Sequence, residues 1–293
     1  MANMNAIDVS LYQTIYDANA LKQDGIKLCM IKASQGRYLN GYGSFFKDRK
    51  MDEHAQKCIN AHLPIGFYHF LCAFNPQEAK REAKQFLKAI KPYAQYVSYV
   101  ALDCENYNNT ALLCQNRTQL TESCNAFMKI CEDAGYLPIL YTNPDHLSNK
   151  LYANRIKYPL WVALYGEEMP QYDTMIMWQK GPVSPRGVTA NTDGNICYIS
   201  DAALAVIELA EKGFIASPTY WINQLYGVKW LPELFVQVND AFNYRIGRSN
   251  TVDEACNYMK EQGVMNSPEY WVAQSKKVKH LADLLKNFGG GRK

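Results

Sequence analysis

The stretch "PLWVALYGEEMPQYDTMIMWQKGPVSPRGVTANTDGNICYIS", residues 159–200, decides the fold prediction. It contains three short apolar, β-rich runs at residues 159–165, 175–179 and 195–200, joined by irregular links. In a regular eightfold β/α barrel a full helix follows every strand, and these links leave little room for one. The stretch therefore predicts the end of a barrel in which three strands follow one another without crossover helices.

Upstream of residue 159, similar runs alternate with helical patterns. The helical patterns cover residues 48–62, 75–91 and 120–135, and the strand-like runs cover residues 6–11, 28–34, 64–70, 99–105 and 138–143. Eight strands with helices between the early ones indicate an α/β fold whose largely parallel sheet closes into a barrel. We therefore predict a truncated barrel over residues 1–200.

From about Asp201 the sequence contains helical patterns alone, and it repeats. The segment "GFIASPTYWINQLYGVKWLPEL" from Gly213 aligns with "GVMNSPEYWVAQSKKVKHLADL" from Gly263 at an offset of 50 residues. Each copy predicts a helix that ends at the glycine and a second helix that begins at the Ser-Pro pair, where the first turn tolerates proline. Residues 201–293 are thus predicted to form a small all-helical domain of two repeats.

The composition excludes several classes of partner. Lys and Arg total 31 against 28 Asp and Glu, a net charge of +3 without a long basic arm, so nucleic acid is not expected. No run of 18 apolar residues occurs, so no membrane partner is expected. The nine cysteines form no CxxC pair, which favours reduced thiols over a disulfide framework or a zinc site.

Two carboxylates end the fourth predicted strand, "YVALDCE", at Asp103 and Glu105. Residues two apart on a strand point to the same face, about 6.5 Å apart along it. Ionising both is costly, so one carboxyl should hold its proton to a higher pH while the other stays charged. Such an unequal pair, with aromatic walls for a sugar ring, is typical of glycoside hydrolysis.

Other interpretations of these acids stay open from the pattern alone. The pair could be a solvated strand end in a sugar-binding barrel without catalysis. A metal site built from Asp8, His69, Asp103 and Glu105 would instead suggest a metal-dependent deacetylase. No GxSxG elbow, no GxGxxG after a strand and no GxxxxGK[ST] loop is present, which weakens esterase-type, dinucleotide and nucleotide chemistry.

Taken together, the motifs of the first 200 residues resemble glycoside hydrolase family 25, the lysozymes or N-acetylmuramidases that cut peptidoglycan. The matching segments occur in the family's order, and they are "IDVSLYQ" (7–13), "IKASQG" (31–36), "GFYHF" (66–70), "ALDCEN" (101–106), "LYTN" (140–143), "LWVALYG" (160–166), "MWQ" (177–179) and "TDGN" (192–195). Two positions depart from the family's pattern, since Gln35 stands where Glu is common and Leu164 stands where Arg is common.

The resemblance implies a flattened TIM-like barrel of five β/α units followed by three strands. It implies cleavage of the β-1,4 bond between N-acetylmuramic acid and N-acetylglucosamine, with no cofactor and no metal. Glu105 would be the general acid, and we expect it to carry the proton. Asp103 would be the charged partner that stabilises the oxocarbenium-like transition state or orients the N-acetyl group of the substrate. The further site residues that the resemblance implies are the acids Asp8 and Asp193 and the groove residues Tyr68, Tyr141, Asn143, Trp161 and Trp178.

The role of residues 201–293 has two interpretations. The Ser-Pro and Tyr-Trp repeats resemble those of phage and bacterial lytic proteins, which suggests a domain that binds peptidoglycan or another cell-wall polymer. Alternatively, the repeats mediate homo-oligomerisation and their aromatic residues form a core.

The start "MANMNAIDVSLYQ" lacks the features of a signal peptide. We therefore expect an endolysin of phage type, made in the bacterial cytoplasm and acting on the wall after its release.

Overall fold

The computed structural model describes residues 4–39, 42–105, 115–189, 191–198, 200–211, 213–215, 218–225, 228–241, 249 and 251–288. The chain divides into two compact units, Met1–Ser200 and Asp201–Lys293. Within the described ranges, no helix is both long enough and apolar enough to cross a membrane.

A closed ring of strands forms the first unit. Among the described residues nine strands share one sheet, and they are β1 (Ala6–Val9), β2 (Leu28–Leu39), β3 (Tyr42–Lys47), β4 (Ile65–Phe70), β5 (Val97–Asp103), β6 (Pro138–Thr142), β7 (Leu160–Ala163), β8 (Met175–Val183) and β9 (Thr192–Cys197). Eight of them close into a barrel, because β1 pairs with both β2 and β9. The neighbours from β1 to β8 in the ring run parallel, and β9 is antiparallel to β8 and to β1.

In the described residues of the first unit, α-helices follow the first five strands of this ring. They are α1 (Ala18–Gln23), α2 (Met51–Asn60), α3 (Pro76–Ile90), α4 (Arg117–Asp133) and α5 (Pro144–Asn149). In the described residues between β7 and β9 no helix occurs, even though β7 and β8 are parallel. The prediction of five β/α units followed by three strands is confirmed.

One strand and two short α-helices of this unit were not predicted. Strand β3 pairs antiparallel with the second half of β2, so the two form a hairpin that extends from the ring. The sequence there is polar and rich in glycine, and it therefore lacks the apolar alternation of a strand that packs on a core. Helices α1 and α5 have six residues each, too few for a clear helical period. Asp17 and Asn143 cap their first turns.

The main core lies between the helices and the outward faces of the strands. It includes Phe67 of β4, Phe86 of α3 and Phe127 of α4, all fully buried. Helix α3 begins with Asn75 as the N-cap and Pro76 in the first turn. These contacts fix the strands, and therefore the side chains at the carboxyl ends of the strands.

The second unit contains two copies of a three-helix repeat. Its helices are α6 (Ser200–Glu211), α7 (Pro218–Gln224), α8 (Leu231–Ala241), α9 (Val252–Glu261), α10 (Pro268–Ser275) and α11 (Leu281–Phe288). Gly213 and Gly263 end the first helix of each copy with φ of 79° and 72°, a conformation that glycine adopts without strain. The second predicted helix of each copy is split at Trp230 and at His280, both with φ of 64°.

Candidate active site

Four carboxyl groups lie at the mouth of the barrel. Asp8 on β1 pairs in register with Asp193 on β9, so the two acids are direct neighbours on antiparallel strands. Asp103 ends β5, where it pairs with Phe70 and Tyr141. Because side chains alternate along a strand, these residues point to the inside of the ring, while the residues next to them face the helices.

Asp8 is held by two amide side chains. Its Oδ2 accepts hydrogen bonds from Nε2 of Gln179 at 3.0 Å and from Nδ2 of Asn195 at 2.8 Å. Burial and the charges of Asp193 and Glu105 nevertheless outweigh these bonds and raise the pKa of Asp8 to about 7. Asp8 is therefore a carboxyl that changes its charge close to neutral pH.

Asp103 is the most deeply buried acid of the group, with 5% of its surface exposed. Its Oδ1 has no hydrogen-bond partner among the described residues. Burial raises the pKa of Asp103 well above its usual range, the charge of Glu105 raises it further, and the charge of Lys32 opposes both effects. An unpaired carboxyl oxygen in a buried position favours the protonated form.

Glu105 lies two residues beyond Asp103, outside the strand, and is partly exposed. Burial raises its pKa, Lys32 lowers it and Asp193 raises it. The expectation that Glu105 rather than Asp103 holds the proton therefore differs from the structure, in which burial raises the pKa of both. Asp103 is buried more deeply than Glu105, because it still belongs to the strand.

Asp193 and Lys32 each have a neutral polar partner. Oη of Tyr165 donates a hydrogen bond of 2.6 Å to Oδ1 of Asp193. Nζ of Lys32 donates to Oε1 of Gln35 at 2.8 Å and lies 5.1 Å from the centroid of the Phe70 ring. Gln35 is one of the two departures from the family pattern. Because its amide is neutral, it binds Lys32 but does not neutralise the positive charge, as a glutamate at this position would.

Three of the predicted groove residues come together beside the acids. The ring of Trp161 lies edge-on to Tyr141, with centroids 4.7 Å apart, and to Tyr68, with centroids 6.3 Å apart. Nε1 of Trp161 donates to Oδ1 of Asn195 at 2.8 Å, and Oη of Tyr141 donates to Oε1 of Gln179 at 3.0 Å. The two amides that hold Asp8 therefore also fix the aromatic rings.

Two other predicted groove residues have different surroundings. Trp178 pairs in register with Val162, which belongs to the core on the helix side, whereas Gln179 next to it reaches Asp8. Nε1 of Trp178 donates to the backbone oxygen of Leu164 at 2.7 Å. Asn143 caps α5, because its Oδ1 accepts from the backbone N–H of His146. The structure therefore does not bring Trp178 and Asn143 into the acid cluster.

His69 lies on the outer face of β4, away from the acids. Its ring stacks on Phe127 at 5.1 Å, and it forms hydrogen bonds with Oγ of Ser34 at 2.8 Å and with Oε2 of Glu82 at 2.9 Å. The residues that the deacetylase alternative requires are therefore not assembled at one place. The Ser34, His69 and Glu82 side chains instead tie β2 and β4 to α3.

The sequence analysis did not assign a role to Gln179, Asn195, Lys32 or Tyr165. Asn195 stands two residues from Asp193, so the rule that placed Asp103 beside Glu105 also places these two on one face. Gln179, Lys32 and Tyr165 lie at or just beyond the carboxyl ends of predicted strands. Their position in the sequence indicated that they lie near the barrel mouth, but only the fold shows which side chains contact one another.

Curated lysozymes are similar to this chain in sequence. A lysozyme of Streptococcus phage Cp-7 is 30% identical over an alignment of 191 positions that covers 59% of this chain and 49% of that protein. An autolytic lysozyme of Clostridium acetobutylicum is 30% identical over 173 residues, which are 58% of this chain and 48% of that protein. The chain spans about half the length of these curated relatives.

Solved structures and a family profile agree with this likeness. The bacterial lysozyme from Streptomyces coelicolor is 22% identical and superposes with a TM-score of 0.58, over 67% of this chain and 93% of its own. This similarity shows a shared fold. Residues 7–181, more than half of the chain, match the family described as Glycosyl hydrolases family 25. The chain therefore belongs to glycosyl hydrolase family 25.

Proposed function

We propose that the chain is a muramidase that cleaves the β-1,4 bond between N-acetylmuramic acid and N-acetylglucosamine in peptidoglycan. The observation that carries this proposal is the group of four carboxyls, Asp8, Asp103, Glu105 and Asp193, at the mouth of a family 25 barrel. Glycoside hydrolysis needs one carboxyl that donates a proton and a carboxylate that stabilises positive charge on the sugar. The group contains candidates for both.

Glu105 is the proposed general acid because a donor must reach the glycosidic oxygen. Glu105 is partly exposed beyond the end of β5, whereas only 5% of Asp103 is exposed. Burial and Asp193 raise the pKa of Glu105, which keeps a proton available at higher pH than for an ordinary glutamate. Access, rather than the size of the pKa shift, assigns this role.

Asp103 is the proposed partner that stabilises the oxocarbenium-like transition state. Burial and the charge of Glu105 favour the protonated form of Asp103, and the charge of Lys32 opposes them. Positive charge that develops on a sugar next to the carboxyl would act in the same direction as Lys32 and favour the carboxylate. Asp103 would therefore stabilise the transition state more than the bound substrate, and this difference is what lowers the barrier of the reaction.

Asp8 and Asp193 are proposed to bind and orient the substrate together with the aromatic rings. Asp8 is fixed by Gln179 and Asn195, and Asp193 by Tyr165. The ring of Tyr68, which is partly exposed, offers apolar surface against which a sugar ring packs, and the buried Trp161 supports it edge-on. The side-chain amides of Gln179 and Asn195 thus position both Asp8 and the aromatic rings.

Digestion of purified peptidoglycan with mass spectrometry of the new ends tests this function. We expect reducing N-acetylmuramic acid ends from the parent chain and almost none from Glu105→Gln. Glu122→Gln is the matched control, since Glu122 is exposed on α4 and its loss should leave the rate unchanged. Reducing glucosamine ends, free peptides or released acetate would overturn the proposal.

The helical unit is proposed to hold the enzyme on the wall, and the chain is proposed to act as a phage-type endolysin. Support for the second point comes from the relative of phage Cp-7 and from the cysteines, since the eight in the described residues are free thiols. Reduced thiols fit synthesis in the cytoplasm. Sedimentation of the full chain carrying Glu105→Gln with purified walls tests whether the chain binds the wall when it cannot cleave it.

A further inference from the structure

The two repeats of the helical unit bind each other reciprocally. Oη of Tyr220 in the first repeat donates a hydrogen bond of 2.7 Å to the backbone oxygen of Lys279 in the second. Oη of Tyr270 in the second repeat donates one of 2.8 Å to the backbone oxygen of Lys229 in the first. Both the tyrosines and the lysines are 50 residues apart, so the repeats are related by an approximate twofold symmetry.

This symmetry produces two matching pockets. The first pocket, a cavity of about 400 Å³, is lined by residues that include Trp230, Glu233 and Gln237 of the first repeat and Tyr270 and Trp271 of the second. The second pocket, of about 280 Å³, has the corresponding residues in exchanged repeats, including His280, Asp283, Asn287, Tyr220 and Trp221. Each member of the second set lies 50 residues from a member of the first.

The first pocket combines an aromatic wall with polar groups at one opening. Trp230 is 53% exposed, although large aromatic side chains usually lie buried. The Tyr270 and Trp271 rings meet edge-on at 5.1 Å, and the exposed side chains of Glu233 and Gln237 lie on the same lining. An aromatic face with a carboxylate and an amide can pack on a ring and bind its hydroxyl groups.

The second pocket keeps a carboxylate, an amide and an aromatic ring at the corresponding positions. Asp283 replaces Glu233, Asn287 replaces Gln237 and His280 replaces Trp230. The Tyr220 ring lies edge-on to Trp221 at 5.0 Å and to His280 at 5.5 Å. Two pockets with equivalent chemistry on one chain suit a ligand with repeating units.

We propose that these pockets are two binding sites for sugar units of the peptidoglycan glycan strand. The proposal rests on the proposed function of the barrel, which acts on the same polymer. It adds the position, number and ligand class of the sites in the helical unit. In each pocket the described lining includes a carboxylate, to which neutral sugar hydroxyls can donate hydrogen bonds.

The five tryptophans allow each site to be observed in the full chain. Trp161 and Trp178 lie in the barrel, Trp230 and Trp271 line the first pocket, and Trp221 lines the second. The experiment is fluorine NMR of the fluorotryptophan-labelled chain carrying Glu105→Gln, titrated with short peptide-free glycan strands. We expect saturable shifts of Trp230 and Trp221 as well as of Trp161.

Matched variants separate the two pockets. Glu233→Gln should weaken the response of Trp230 about 10-fold and spare that of Trp221, because a charged hydrogen-bond acceptor is lost from one pocket. Asp283→Asn should have the reverse effect. Glu261→Gln is the control, since this exposed glutamate at the end of α9 is not part of either lining.

Several outcomes would overturn the proposal and leave the proposed function of the barrel intact. The first is a shift of Trp161 with glycan while Trp230 and Trp221 stay unchanged. The second is a response of Trp230 and Trp221 to teichoic acid or to the free stem peptide instead of to glycan. The muramidase function is measured separately by the new reducing ends, so failure of that function is recognised independently.

Discussion

The barrel mouth and the two helical pockets both combine carboxylates, amides and aromatic rings, but they distribute the carboxylates differently. At the mouth burial raises the pKa of Asp8, Asp103 and Glu105, and the charges of neighbouring acids add to the effect. In the described lining of each pocket a single acid, Glu233 or Asp283, accompanies the aromatic rings. Neighbouring acids that raise the pKa of a carboxyl help it to keep a proton that it can donate near neutral pH, whereas a carboxylate with an ordinary pKa mainly accepts hydrogen bonds there.

Removal of the proposed proton donor should have the largest effect. Glu105→Gln should lower the rate of glycan cleavage about 10³-fold, the contribution typical of a general acid. Reducing-end assays measure the rate, and the fluorine signals of Trp230 and Trp221 should still respond to glycan. Substantial lytic activity in Glu105→Gln would contradict the role of Glu105 as the proton donor, and with it the catalytic difference between the barrel mouth and the pockets.

The crowded acids should also make the barrel less stable as the pH rises. The pKa of Asp8 is about 7 in the folded chain against 3.8 for an ordinary aspartate, so the folded state binds more protons between these values. Its free energy of unfolding should therefore fall by roughly 2–4 kcal/mol from pH 4 to pH 7. Urea unfolding at several pH values measures this.

Asp8→Asn should remove most of this pH dependence, because the side chain can no longer ionise. Glu122→Gln should retain it, since that residue is exposed and distant in sequence from the acid group. A chain whose stability rises between the same pH values would contradict the burial and repulsion assigned to Asp8.

Asp193 should account for part of the high proton affinity of Asp8. Asp193→Asn removes the neighbouring charge and should lower the pKa of Asp8 by about one unit. Carbon NMR titration of the Asp8 carboxyl measures the change. Tyr165→Phe is the control, because it removes a hydrogen bond to Asp193 and leaves its charge. An unchanged pKa in Asp193→Asn would refute the coupling.

The smallest expected effect concerns the helical pockets. Trp230 has a φ of 64°, which favours glycine over other residues. Trp230→Gly should therefore be more stable than Trp230→Ala by about 1 kcal/mol, while both variants lose the indole that lines the first pocket. His280→Gly and His280→Ala should repeat the difference. Equal stabilities in both pairs would show that the backbone there is not strained.

The sequence predicted those parts of the barrel that have a strong periodic signal. The strands of the ring alternate or run apolar, and the acids follow them, so both were found. Strand β3 was missed because it pairs through its backbone with the extended half of β2 rather than packing on the main core. Helices α1 and α5 were missed because six residues give little periodicity.

Faces and partners were harder to predict than elements. Trp178 stands one residue from Gln179, and a shift of one residue moves a side chain to the opposite face of a strand. The register of β8 with β7, where Trp178 pairs with Val162, decides this and involves a different part of the chain. The pockets were not predicted for the same reason, because each joins residues from two repeats.

The reciprocal bonds from Tyr220 to Lys279 and from Tyr270 to Lys229 also restrict how such a unit can evolve. Each repeat offers one tyrosine and one backbone acceptor, and the other repeat uses both. The assembly is therefore closed, unlike a solenoid, in which every added copy leaves a new end for the next. Such a unit would therefore have to gain repeats two at a time. A chain with a single repeat would have to pair with a second copy of the same chain to make both hydrogen bonds.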